Sequence, residues 1–367
     1  MKTYEQFWEE LKPAYPLTKW EIKIPIATTL ETFNNIDVNK VVWDLDVIMQ
    51  KIFKKEKQAR ELADIAYGKW FTDLYEWNYT GIVRFDCMLD AKNNLKVVEV
   101  NTKRPDWLLM HDITYSTLSW TKTTVHLDLF LKFFDKSEFI FILYEKGWFE
   151  DLHFLEYEKL KACWYNVGIW WFDDIEFKDG NVFWENIKID VIRLSMSAGR
   201  FTKSEFVLLK SAHVRFINTF DIAWFGDKSL LAWIESPMVM NTCILNPDNK
   251  ETVTKNKNEY VIKPTNLDEW RGVYIWIDMS QNKWESLIEE NIHNDYLAQE
   301  YITISSKKTS MYQDKHIVES DFYYDFCPHL FYKNGKLIWV WRILVRYSPN
   351  KIVNVLKWGG IWYYKNT

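Results

Sequence analysis

The sequence predicts a mixed fold, α+β with an α/β portion, spread over two or three lobes. Three observations carry that expectation. Two short apolar runs flank a polar turn between Gly81 and Pro105, and Val38 to Tyr75 repeats apolar residues at helical spacing. Strand, helix and strand patterns then follow one another from Glu138 to Asn218. A chain of 367 residues is also long for one simple core.

Taken in order, Tyr4 to Leu11 reads as a short helix that stops before Pro13. Val38 to Tyr75 reads as one long helical region, with Val41, Leu45, Ile48 and Ile52 on its apolar face, then Ala59, Leu62, Ala63 and Ala66. Lys51, Lys54, Lys55 and Lys57 make a basic cluster there, which a solvated helix face explains.

Gly81 to Pro105 is the stretch on which the rest depends. Ile82, Val83 and Phe85 precede the polar turn Asp90 to Asn94, and Leu95, Val97, Val98 and Val100 follow it. The side-chain period of a strand puts Arg84 and Asp86 on one face of the first run, Glu99 and Asn101 on one face of the second. A hairpin of this kind can set Asp86 opposite Glu99. Three oxygen donors on one sheet face suit a hard cation such as magnesium, which combines a few carboxylates with substrate phosphates. A hairpin with acidic residues on its solvent face yields the same pattern.

The next segment, 102–120, is polar and irregular, with Asp106, His111, Asp112 and Tyr115 as candidates to line a substrate site. From Glu138 a second unit begins. Phe139 to Tyr144 reads as a buried strand, Phe149 to Asn166 as a helix, Gly168 to Phe177 as a strand and Ile189 to Arg193 as another, with Val214 to Asn218 continuing the layer. Asp190 and Arg193 fit a surface ion pair as well as a functional role.

Downstream, Gly226 to Ile234 reads as a capped helix start carrying Lys228. Tyr260 to Pro264 is a strand ending in Lys263, and Tyr296 to Ile302 is a further strand with Glu300 in an apolar setting. Lysine ammonium groups serve as point charges on phosphate, and a strand edge beside an apolar slot offers the donor and acceptor that a base needs. Each piece alone is ordinary. Near the C-terminus Arg342 and Arg346 share one face of a strand-like run, and Asn354 leads to Gly359 and Gly360.

Composition narrows the function classes. Hydrophobic content of 48% with 26% charged residues describes a folded chain, and a net charge of −5 argues against a duplex nucleic-acid binder. The 21 Trp, 20 Tyr and 23 Phe are scattered without a basic stripe, so they fill core and pockets. Four cysteines far apart fit a reduced compartment; with no apolar leader and no apolar run of membrane length, the expectation is a soluble cytoplasmic protein.

Arg84 and Asp86, then Leu95 to Thr102 and Pro105, resemble the metal-binding segment of circularly permuted ATP-grasp ligases, glutathionylspermidine synthetase and eukaryotic glutathione synthetase among them. The resemblance implies an ATP-grasp fold in permuted order, since the acidic hairpin precedes the lysines, with an inserted small α/β domain. The implied division is 1–135 for a helical region plus the metal-binding part, 136–222 for the inserted domain and 223–367 for the nucleotide-binding part.

By the same resemblance Asp86, Glu99 and Asn101 hold Mg2+, Arg84 faces the transferred phosphate, and Lys228 and Lys263 bind phosphates. Gln299, Glu300, Tyr301 and Ile302 form the adenine hinge. Arg342 or Arg346 touches phosphate or acyl phosphate. The loop Thr265 to Gly272 stands where the family has a glycine-rich cover, yet it holds a single glycine, leaving Arg271 and Gly272 for the final turn. The implied activity is amide-bond formation from a carboxylate and an amine, with ATP and Mg2+ as cofactors and no nucleic-acid or membrane partner. An ATP-binding pseudo-enzyme on the same fold and an aromatic-rich interaction protein are the alternatives.

Overall fold

The computed structural model describes residues 26–27, 36–68, 79–102, 105, 108–109, 112, 123–144, 150–196, 201–220, 222–265, 272–313, 316–338, 343–348 and 360–363. The helix expected at Tyr4 to Leu11 lies outside them, as do Asp106, His111, Tyr115, Arg271, Arg342, Asn354 and Gly359.

Four sheets organise the described chain. The largest has eight strands: β1 (Ile26–Ala27), β2 (Gly81–Leu89), β3 (Leu95–Asn101), β15 (Ser306–Gln313), β16 (His316–Lys333), β17 (Lys336–Ile338), β18 (Ile343–Ser348) and β19 (Gly360–Tyr363). Its order is β15-β1-β19-β18-β16-β2-β3, with β17 beside β16. The long β16 makes this arrangement possible. Its first half pairs with β15, its second half with β2 on one side and β18 on the other. β2 is buried along its whole length, as a strand with packed elements on both faces must be.

A second sheet, all parallel, runs β10 (Arg215–Ile217), β9 (Val191–Ser195), β4 (Phe139–Tyr144), β5 (Asn166–Trp170). The helix Glu150–Ala162 crosses from β4 to β5, as parallel neighbours require. A third sheet, β11 (Thr242–Ile244), β14 (Tyr296–Glu300), β12 (Tyr260–Pro264) and β13 (Tyr274–Ile275), carries the later lysine and the expected hinge. A small antiparallel sheet of β6 (Ile175–Lys178), β7 (Asn181–Trp184) and β8 (Ile187–Ile189) completes the set.

Several expected elements are subdivided. The long helical region is two helices, Val38–Phe53 and Glu56–Tyr67, separated by a turn at Lys54 and Lys55. Lys54 to Gln58 contains no apolar residue to anchor a helix face, and an unbroken helix would set Lys51 four residues from Lys55, a repelling pair. Phe53, the last anchor, stacks on Tyr79 with ring centroids 4.3 Å apart and meets Phe225 and Tyr332 edge-on.

The expected strand Gly168 to Phe177 divides at Trp171, where Phe172–Asp174 forms a 3-10 turn before β6. Ile189 to Arg193 is likewise two strands, β8 and β9. Asp190 sits between them, exchanging main-chain and side-chain hydrogen bonds with Phe139. That anchor moves the chain from the antiparallel sheet to the parallel one. Among the described residues no helix is long and apolar enough to cross a membrane.

Candidate functional site

The hairpin forms as the side-chain period requires. β2 and β3 pair antiparallel with Asp86 opposite Glu99 and Arg84 opposite Asn101, and the register shifts between Asp86 and Cys87. The turn at Asp90 is fixed by its own carboxylate, which accepts from the Lys92 and Asn94 amides at 2.8 Å. Asn101 Nδ2 donates to Glu99 Oε1 at 3.2 Å.

β16 and β18 extend this polar face. His329 pairs with Arg84 across one ladder, and Asp325 pairs with Arg346 across the other. Asp325, Cys327 and His329 alternate along β16 and are all buried. Sequence reading missed these three. The available signal was that polar alternation within Tyr324 to Leu330, obscured by Pro328, which demotes a run from central strand.

The charges on this face are tightly paired. Arg84 Nε donates to Asp86 Oδ1 at 2.9 Å, and Arg346 Nη2 lies 2.8 Å from Asp86 Oδ2. Arg346 Nη2 also donates to Asp325 Oδ2. Asp325 Oδ1 accepts the Cys87 amide at 3.1 Å. Burial alone would raise the Asp86 carboxyl, but the two guanidinium groups outweigh it and hold the group well below the usual carboxylate range. Asp325 goes the other way. Burial, with the Asp86 charge nearby, lifts it to about 7 against the pull of Arg346.

The lysines reach this hairpin from the third sheet and the turn before it. Lys228 opens a 3-10 turn, Lys228–Trp233, in place of the expected α-helix start. The Asp227 carboxylate accepts from Ser229 through both the amide and the hydroxyl, which tightens the turn. Lys228 Nζ stands 3.5 Å from Glu99 Oε2. Lys263, buried at the end of β12, donates to Val98 O at 3.0 Å, and Gln299 Nε2 approaches the same oxygen at 3.4 Å. Burial lowers the Lys263 ammonium to about 7, partly offset by Glu99.

The expected hinge is less open. The Glu300 amide donates to Asn241 O and the Tyr301 amide to Glu259 O, both at 2.7 Å. β14 ends at Glu300, so Tyr301 and Ile302 lie beyond the strand. Gly272 adopts a left-handed φ of 73° and packs against Tyr296 and Pro264.

Two ligand sets compete for a divalent ion. Asp86, Asp325 and Cys327 place ligand atoms within 4.8 Å of one another. There, however, the Arg346 guanidinium already stands between the two carboxylates. Asp86, Glu99 and Asn101 offer oxygen alone, the donor chemistry Mg2+ prefers, and their side of the face is less buried. By donor chemistry the second set is the one that suits the ion, with Asp86 shared between it and the Arg84 and Arg346 guanidinium groups.

Away from this face, Asp112 accepts from the His126 and Leu127 amides and so ties down the start of the helix Val125–Leu131. Arg193 is not a surface partner of Asp190: it is buried and bonded to Glu156 at 3.3 Å and to Leu194 O at 2.7 Å.

No family model matches the chain, and no curated protein does. Among solved structures, a glutathione synthetase-like effector from Globodera pallida matches with a TM-score of 0.63 and 12% identity, covering 98% of this chain and 96% of that one. A putative gamma-glutamylcysteine synthetase from Methylobacillus flagellatus KT matches with a TM-score of 0.40 and 10% identity, over 84% and 82% of the two chains. The first likeness bears on the fold, and the chain shares the fold of that effector.

Proposed function

We propose that the chain is an ATP- and Mg2+-dependent carboxylate–amine ligase that forms an amide through an acyl phosphate. The single observation that carries this reading is convergence. Two residues distant in sequence, Lys228 and Lys263, arrive at one acidic strand, with Lys228 3.5 Å from Glu99 and Lys263 bonded to Val98 O. The fold shared with a protein named glutathione synthetase-like supports it. The division into 1–135, 136–222 and 223–367, in permuted order, belongs to the same proposal.

In this reading a substrate carboxylate oxygen attacks the γ-phosphorus of ATP and ADP leaves. The amine nitrogen then attacks the acyl carbon, loses a proton, and expels inorganic phosphate. Asp86, Glu99 and Asn101 would hold Mg2+, which when bound neutralises charge on the phosphate oxygens. Lys228, Lys263 and Arg84 supply positive charge around the transferred group, and Arg346, held by Asp86 and Asp325, adds to it from the same face. Catalysis is positioning and electrostatics. Gln299 with the segment Glu300 to Ile302 bounds the base.

One observation favours a second reading, an ATP-binding pseudo-enzyme. The Glu300 and Tyr301 amides are bonded to protein carbonyls, and Lys263 is bonded to Val98 O. Measuring ADP release across a panel of carboxylates and amines, beside ATP affinity by calorimetry, separates the two. Amine-dependent ADP release supports the ligase, binding without turnover the pseudo-enzyme. A chain that binds no nucleotide removes both.

A further inference from the structure

Asp325 belongs to none of the groups so far given a part in the chemistry, yet it is 1% exposed and touches two of their neighbours. Its Oδ2 accepts from Arg346 Nη2, while its Oδ1 accepts the Cys87 amide at 3.1 Å, next to the register shift after Asp86. The second contact has a local cause. The β16–β2 ladder passes from Phe326 opposite Cys87 to His329 opposite Arg84, and β2 itself shifts register between Asp86 and Cys87. At that gap a side-chain oxygen serves as acceptor.

The first contact has an electrostatic consequence. Two guanidinium groups, those of Arg84 and Arg346, bear on the single Asp86 carboxylate. Alone, that carboxylate would be overcompensated and repel a divalent ion. Once ionised, above about pH 7, Asp325 restores the balance of two cations against two anions, and at any pH its Oδ2 draws Arg346 from the far side. The Arg346 Nε atom is buried with no hydrogen-bond partner among the described residues, so its Nη2 contacts fix the guanidinium.

We propose that Asp325 is a positioning residue: by sharing Arg346 it keeps Asp86 available to a divalent cation without ligating the ion itself. This deepens the ligase reading and rests on its metal set. Asp325→Asn isolates the charge, because the amide oxygen still accepts from Cys87 N while the hold on Arg346 weakens. Arg346 then turns fully on Asp86.

The experiment titrates Mn2+ alone into the full chain and follows the free-ion signal by electron paramagnetic resonance, with thermal melts as a check on folding. Wild type takes up Mn2+. D325N weakens uptake by about tenfold or more, the size of a buried charge-pair effect. R346Q alone binds at least as tightly as wild type, and the double variant D325N/R346Q returns to within about threefold of it, the non-additivity expected of two residues acting on one another. D325N uptake equal to wild type overturns the inference. So does a double variant as weak as D325N, which makes Asp325 a ligand or a structural group, and so does weakened uptake in R346Q, which means that Arg346 does not oppose the ion. A wild-type chain that takes up no Mn2+ overturns the metal set and this inference together.

Discussion

The Lys263 ammonium donates to the main-chain oxygen of Val98 at 3.0 Å, one residue from Glu99, although the two strands are 165 residues apart in sequence. Lys263 therefore joins the third sheet to the outer edge of β3, the last strand of the large sheet, where Val97 also donates to Met238 O. In the ligase reading this buried lysine exchanges that carbonyl for a phosphate.

Nucleotide binding is expected to take up a proton. Burial lowers Lys263 to about 7, so above that pH the free chain holds it mostly neutral, whereas phosphate favours the ammonium. ADP affinity should fall by up to about tenfold per pH unit above pH 7, until the pKa of the bound state is reached. Calorimetry at pH 8 in two buffers of different ionisation enthalpy measures the uptake, and Lys263→Met should abolish it. The folded pKa lies below the unfolded one, so the cost of the buried ammonium is fully present below about pH 7. It fades as pH rises toward the unfolded value of about 10.5. ADP affinity that is flat from pH 6.5 to 8.5 counts against this role.

Glu99→Gln should lower Mg2+-dependent turnover by about a hundredfold or more with little change in melting temperature, since Glu99 is partly exposed and the glutamine keeps its shape and its acceptor oxygen for Asn101. Asp86 is different. It stands between two buried guanidinium groups, so Asp86→Ala leaves uncompensated charge and should cost about 3–5 kcal/mol of stability besides activity. Chemical denaturation of both variants, beside ADP-release rates, checks the contrast. Equal stability losses in the two would contradict the pairing seen here.

Gly226 holds the turn that carries Lys228 against the end of β3. A Cβ there would meet Thr102 Oγ1 at 2.6 Å and Val100 O at 2.9 Å, the latter a main-chain atom that cannot move cheaply. Gly226→Ala should therefore cost about 1–3 kcal/mol and weaken ADP binding by displacing Lys228. Thermal melts and ADP titration together test it; a variant with wild-type values for both would show that the turn can shift at no cost.

The parts of this site that were legible in the sequence are those governed by local rules. Period-two alternation and a turn rich in Asp and Asn were enough to put Asp86 across from Glu99, and the pairing has that register. Lys263 at a strand end was equally visible. Asp325 was not, because an 18-residue strand containing Pro328 resembles no ordinary central strand, and its partner Arg346 is defined only by non-local pairing. The 3-10 turn at Lys228 was hidden too. The Asp227 side chain competes with the helix backbone for the same amides, and propensity does not say which wins. Arg342 and Arg271 lie outside the described residues.

Asn218 joins the parallel sheet to the site, and its loss should be felt at both. From the end of β10 its amide accepts from Ile82 N at 3.1 Å and donates to Ile82 O and Thr102 O at 3.0 Å each. These contacts pin the start of β2 to the residue just past β3, at the open end of the hairpin beyond the Arg84–Asn101 pair. Asn218 itself takes a left-handed φ of 59°, which asparagine tolerates better than most residues. Asn218→Ala leaves buried main-chain groups without their partner, at about 1–3 kcal/mol for each unsatisfied group, and adds strain at that φ. A total loss of about 3–5 kcal/mol is expected by denaturant unfolding. Asn218→Gly relieves the strain yet still lacks the amide, so it should recover no more than about 1 kcal/mol. If the glycine variant instead restores wild-type stability, backbone conformation and not the amide clamp is what this position supplies.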